Sequence, residues 1–192
     1  MILPIILYPD LVLRTKGKPV AVVTDDIRRL AEDMLETMRH AHGVGLAAQQ
    51  VGVALQLAVV DVSHDPECVT YVRVNGEDKK LEDIMPLVFT NPQLEFGKEK
   101  ITAEEGCLSF PDLRDDIRRA AALKATLTLM DGTIIVLETD GLLSRAIQHE
   151  TDHLNGVLFI DRFSAVRKLG LKRRLRDLME EWDEDSVKDA QK

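Results

Sequence analysis

A chain of 192 residues suits a single domain with its own core, and 45% hydrophobic against 30% charged residues is the profile of an ordinary soluble protein. A net charge of −8 argues against a surface that grips nucleic acid all over and leaves room only for a local basic patch. Two cysteines, Cys68 and Cys107, are too few for a disulfide scaffold; one bridge between them is open, but free or metal-bound thiols in a reducing compartment fit better.

The opening MILPIILYPD is apolar but short, lacks a basic start and is broken by Pro4 and Pro9. It reads as neither signal peptide, transit peptide nor membrane span, so the expected location is the cytoplasm. The stretch TDDIRRLAEDMLETMRHA then predicts a helix. Ile27, Leu30, Ala31, Met34, Leu35 and Met38 recur at helical spacing, Thr24 is the expected cap, Asp25 and Asp26 suit the helix dipole, and Gly43 is the expected stop. From Leu55 to about Leu137 the pattern changes to strands: LQLAVVDV, YVRV, PLVFT, KATLTLM and TIIVLET, with turns at Asn75-Gly76 and Asp131-Gly132. GLLSRAIQHETDHLNG is helical in period, with Asp140 as candidate N-cap and Gly156 as stop. A last helix is expected from about Ser164 to Trp182, followed by a frayed tail. Helix, strands, helix, helix without βαβ alternation predicts an α+β fold in one domain over 1–192, with 164–192 as C-terminal helix and tail.

Three stretches carry candidate chemistry. In QHETDH, His149 and His153 lie four apart, about 40° and about 6 Å from each other on a helix, so both can reach one ion. Glu150 points about 100° away and is placed to take a proton from a water instead. By itself this H-E-x-x-H pattern fits a metal helix with its own base, and equally an amphipathic helix with two unrelated histidines. Downstream there is no further histidine, and acids such as Asp161 form no recognisable ligand signature. Upstream, AEEGCLSFP places Cys107 at a strand end, either as a third ligand or as a buried, inert thiol. One Cys and two His would leave a fourth position open, as in catalytic sites. In HGVGLAAQQVG the glycines allow a close backbone approach, the dinucleotide pattern is incomplete, and Gln50 could donate to an oxyanion. The alternative there is a helix end leading into a strand.

Together GVGLAAQQ, EGCLS and QHETDH resemble, in order, the three motifs of the peptide deformylase family, and ILYPDLVLRTKGKPV resembles its N-terminal segment. The likeness covers roughly residues 5–165. It implies a fold of antiparallel and mixed sheets packed around a central metal-binding helix, flanked by an N-terminal and a C-terminal helix. It implies a metal-dependent hydrolase of protein biosynthesis that removes the formyl group from formyl-methionyl nascent peptides and releases formate. Cys107, His149 and His153 are then the expected ligands of one divalent ion, Fe2+ in the active form, with Zn2+, Ni2+ or Co2+ as alternatives in purified protein. Glu150 is the expected acid/base, with Gln50 and the Leu108 N–H on the formyl oxygen.

The same resemblance puts Val44, Gly45 and Gly106 beside the peptide and Val44, Leu142, Ala146 and the Arg145 stem around the methionine, although each position could serve only packing. Glu105 and Arg114 read as supports of the site or as plain surface charges. The segment DVSHDPECVTYVRVNGEDKKLEDIMPLVFTNP is longer than in compact members; its His64 and Cys68 fit no motif, so an extra structural loop or hairpin is expected. Arg167, Lys168, Lys172, Arg173, Arg174 and Arg176 suggest a ribosome contact through the last helix; a solvated helix with pairs such as Arg173–Asp177 and Arg176–Glu180 is the favoured alternative. Neither membrane nor DNA is an expected partner. The competing readings are an H-E-x-x-H peptidase with a ligand other than Cys107, and a structural metal domain or inactive binding module.

Overall fold

The computed structural model describes residues 1–65, 67 and 69–189, the side chains only as far as residue 180. Cys68, and with it the bridge to Cys107 considered above, lies outside the described residues. The chain divides into two units, Met1–Phe159 and Ile160–Lys192.

In the first unit, helix α1 spans Asp25–His40 and Thr24 caps it, its Oγ1 accepting from the Ile27 N–H at 3.4 Å. The helix stops on His42, not on Gly43. His42 takes the left-handed conformation (φ 55°) and donates to the Arg39 carbonyl, while the Gly43 N–H bonds the Met38 carbonyl at 2.9 Å. That pair of bonds is a Schellman close.

A seven-stranded sheet follows, in the order β1-β2-β5-β8-β9-β3-β4. Its strands are β1 (Gly45–Ala47), β2 (Leu57–Val60), β3 (Val72–Val74), β4 (Glu77–Asp78), β5 (Leu87–Phe96), β8 (Ala122–Leu129) and β9 (Ile134–Asp140). All its pairings are antiparallel, and an isolated parallel bridge joins Lys18 to Leu55. Within the segment from Asp61 to Pro92, β3 and β4 form a hairpin that turns at Asn75-Gly76, both at positive φ, as two-residue hairpins require. A second sheet is the two-stranded hairpin of β6 (Lys100–Cys107) and β7 (Phe110–Ala120).

Helix α2 (Gly141–Leu154) is buried along almost its whole length. Asp140 occupies its N-cap position, but the carboxylate serves a different purpose from the expected cap. It accepts from the Thr70 hydroxyl, the Thr70 N–H at 2.8 Å and the Tyr71 N–H, fastening that loop. Gly156 is the stop the sequence predicts, with φ 72° and bonds from Gly156 N to His153 O and from Val157 N to Asp152 O.

Strand β2 explains where the core sits. Its LAVV run is buried on both sides instead of alternating. Ala58 and Val60 pack with Leu143, Ala146, Ile147 and Leu154 of α2, whereas Leu57 and Val59 pack with Ala31, Met34 and Met38 of α1. Two helices thus cover opposite faces of the β1–β2 end of the sheet, and α2 is held in the interior.

In the second unit, α3 spans Ala165–Asp189. It runs past the expected end at Trp182, and no Gly or Pro between 182 and 189 interrupts it. Ser164 accepts from the Arg167 N–H, and Arg176 pairs with Asp177 at 3.6 Å.

Candidate metal centre

Helix geometry puts Arg145, His149 and His153, each four residues apart, on one stripe of α2. The rings of His149 and His153 lie 5.0 Å apart, and Cys107 at the end of β6 meets them, its Sγ 3.3 Å from His153 Nε2. The ligand atoms of Cys107, His149 and His153 all lie within 4.8 Å of one another. Tetrahedral ligands at bond lengths of about 2.1 and 2.3 Å are separated by roughly 3.5 Å, so the arrangement suits one ion. The donor set fits as well: a thiolate and two imidazoles occupy three positions and leave one for water or substrate.

Glu105 fixes one of the two rings. Its Oε2 lies 3.1 Å from His149 Nδ1, which leaves Nε2 as the nitrogen available to an ion. Burial would raise the Glu105 carboxyl, but bonds from His149 and Arg119 outweigh it and hold the pKa at about 2. Burial likewise opposes charge on His149, yet Cys107 and Glu105 raise its pKa well above the ordinary histidine value. His153, buried and facing a charged His149, is pushed well below that value.

Glu150 is 3% exposed and its Oε2 has no partner among the described residues. Burial lifts its pKa to about 7, against smaller opposing effects of His149 and Arg119. Gly45 of β1 packs directly on it, and a β-carbon at residue 45 would collide with the carboxylate. Gln50, in the buried turn Ala48–Val51, is oriented at both ends. Its Oε1 accepts from the Ala47 N–H at 2.9 Å, and its Nε2 lies 3.3 Å from Ser109 Oγ and 3.6 Å from Cys107 Sγ. Leu108 sits in the tight turn between β6 and β7, next to Cys107, and its side chain packs beside Gly43.

Among the positions expected around a substrate, Val44, Leu142 and Ala146 share one apolar cluster, with Val44 and Leu142 at its half-buried edge. Gly106 precedes Cys107 on β6, opposite Arg114. Arg114 itself is exposed and pairs with Glu104 at 3.4 Å. Arg145 is buried, and its guanidinium is engaged by Glu105 at 2.5 Å and by the Ile117 carbonyl at 3.0 Å. His64 is exposed and stands outside the Cys107, His149 and His153 group.

Reasoning from the sequence missed Arg119. It forks onto both oxygens of Glu105 at 2.6 and 2.9 Å and reaches Asp152 at 2.8 Å. The signal was present: Leu113, Asp115, Ile117 and Arg119 alternate onto the buried face of β7. A charge at the end of an inward-facing series marks a buried ion pair. Ser109, the last residue of EGCLS, was also without a role; it is fully buried and orients Gln50.

Comparison with known proteins agrees with this geometry. The polypeptide deformylase family model matches residues 2–169. A peptide deformylase of Methylacidiphilum infernorum is 46% identical over 178 residues, 93% of each chain, and one of Rhizobium meliloti is 44% identical over 172 residues, 89% of this chain and 90% of its own. Among solved structures, the peptide deformylase of Thermus thermophilus superposes with a TM-score of 0.80 at 34% identity, covering 96% of this chain and 99% of its own. That of Ehrlichia chaffeensis in complex with actinonin gives 0.78 at 31% identity, covering 92% and 96%. A match over nearly the whole length, on a chain whose Cys107, His149 and His153 converge on one another, makes this chain a member of the polypeptide deformylase family.

Proposed function

We propose that the chain hydrolyses the formamide bond at the N-terminus of formyl-methionyl nascent peptides, releasing formate and a free amine. The observation that carries this reading is the convergence of one thiol and two imidazoles, on a helix whose buried Glu150 has an oxygen without a partner among the described residues. A divalent ion held by Cys107, His149 and His153 would supply Lewis acidity, making a water more acidic and polarising the formyl carbonyl. Fe2+ is the ion we assign to the active form.

Glu150 accepts the proton of the attacking water and passes it to the nitrogen as the carbon–nitrogen bond breaks. A pKa lifted toward neutrality by burial suits a group that must both take and give that proton. Gln50 Nε2 and the Leu108 N–H donate to the formyl oxygen as it gains charge, and losing one such donor typically costs about 3–4 kcal/mol in the transition state. Gln50 is prepared for this because its other end is already bound to Ala47. Val44 and Gly45 present the strand edge beside which the peptide backbone lies, with Gly106 on the other side. Val44, Leu142, Ala146 and the Arg145 stem receive the methionine side chain.

No described helix is long and apolar enough to cross a membrane. A substrate emerging from the ribosome places the enzyme in the cytoplasm. For the basic side chains of α3 a solvated helix remains favoured over a ribosomal contact; co-sedimentation lost on deleting residues 166–192 supports the contact, and unchanged binding removes it. The function itself is tested by formate release from a formyl-Met peptide, using protein prepared anaerobically with Fe2+. No release from fully loaded protein overturns the reading.

A further inference from the structure

The carboxylate of Glu105 is fully used. Oε1 accepts from Arg119 Nε at 2.6 Å and Arg145 Nη1 at 2.5 Å; Oε2 accepts from Arg119 Nη2 at 2.9 Å and meets His149 Nδ1 at 3.1 Å. A carboxylate offers about four lone-pair positions, so the contact with His149 is one of a complete set and its direction depends on the other three.

Arg145 makes one of those three and adds contacts that Arg119 does not. Its guanidinium also donates to the carbonyls of Ile117 at 3.0 Å, Ile101 at 3.2 Å and Ala103 at 3.5 Å. Ile101 and Ala103 belong to β6, which ends in Cys107, and Ile117 belongs to β7. Arg145 lies on α2, one turn before His149 on the same face. One planar head therefore joins the helix that carries two candidate ligands to the hairpin that carries the third.

We infer that Arg145 is a positioning residue for the metal ligands, orienting His149 through Glu105 and setting the spacing between α2 and Cys107 through the β6–β7 carbonyls. The inference rests on the reading that Cys107, His149 and His153 hold a divalent ion. It assigns the arginine head a task separate from any contact its stem makes with a methionine side chain. Lysine cannot replace the head fully, because a single ammonium lacks the flat array of donors that serves several acceptors together.

The test uses the full chain and its Arg145→Met and Arg145→Lys variants, each loaded with cobalt(II). Arg145→Met keeps an apolar stem and removes the head. Its cobalt affinity is expected to fall by roughly 10- to 100-fold, the usual consequence of losing a group that supports a metal ligand. Its visible absorption bands should shift, and kcat should fall more than KM rises. Arg145→Lys should recover part of the affinity and of the band position.

Wild-type affinity and unshifted bands in Arg145→Met overturn the inference, whatever happens to its Tm, and so does a loss confined to KM. Should Arg145→Met fail to fold, Arg145→Lys decides on the same readouts, because the ammonium remains but the fork is gone. A wild-type chain that takes up no cobalt overturns the metal reading and this inference together; normal wild-type binding with unaffected variants overturns this inference alone.

Discussion

Gly45 and Glu150 are fitted to each other: a β-carbon on residue 45 would lie 2.8 Å from the Glu150 carboxyl carbon. A real β-carbon essentially never makes that contact, so any side chain at residue 45 requires the Glu150 carboxylate to shift. Gly45→Ala is expected to push the carboxylate out of line and lower kcat/KM by at least about tenfold, because misplacing a general base forfeits much of its contribution. Metal content should be unchanged. Steady-state rates of deformylation alongside metal analysis check this, and a full rate in the variant would refute the fit.

Glu150→Gln removes the proposed proton acceptor and keeps the volume. The expected loss is about 10²- to 10⁴-fold in kcat with the metal retained. A variant that loses its metal instead would show Glu150 to be part of the ligand set. Single-turnover formate release on metal-replete protein separates the two results.

Cys107→Ala should abolish stoichiometric metal binding and activity together, since two imidazoles alone form a weak site. Metal retained in this variant would favour an H-E-x-x-H peptidase with a different third ligand. Elemental analysis after gel filtration gives the answer.

Glu105 links the site to stability. Its pKa is about 2 in the fold against an ordinary 4.5. A depressed carboxylate pKa stabilises the fold above the unfolded value, so the contribution is complete above about pH 4.5 and disappears as pH falls toward 2. Glu105→Gln should lower stability by about 3 kcal/mol at pH 7, removing the carboxylate on which Arg119 forks and leaving it paired with Asp152. The gap between wild type and variant should narrow between pH 4.5 and 2. Denaturant midpoints at pH 7 and pH 3 measure it; a gap independent of pH would contradict the assignment.

Gly156 carries a backbone requirement. At φ 72°, with the Arg14 carbonyl where a β-carbon would go, Gly156→Ala is strained twice over. A loss of about 1–3 kcal/mol is expected, read as a lower Tm with unchanged metal affinity.

Much of the site was legible because helical spacing and short motifs are local properties. His149, Glu150 and His153 declared their mutual geometry through a period of 3.6, and Gly156 announced the end of their helix. Strands β6 and β7 were hidden. Their outward faces carry Lys100, Glu104, Arg114, Asp116 and Arg118, and that charge masks the inward series of Leu113, Ile117 and Arg119. Asp140 and His42 went astray for a related reason. A capping carboxylate can be claimed by a distant loop, here by Thr70, and a helix can close on a histidine when the following N–H finds its carbonyl.

By itself the amino-acid order determined the α+β class and the placement of His149 and His153 on one helix with Glu150 beside the first, because those follow from residue type and short-range period; Cys107 as the third candidate ligand came from the motifs' resemblance to the family. Only the tertiary structure decided that Glu105 binds His149, that Arg119 and Arg145 complete its bonds, and that Gly45 makes room for Glu150. Those relations join residues 14 to 105 positions apart. Buried polar atoms must be satisfied wherever the chain brings them together, and a linear pattern does not record which partners will meet.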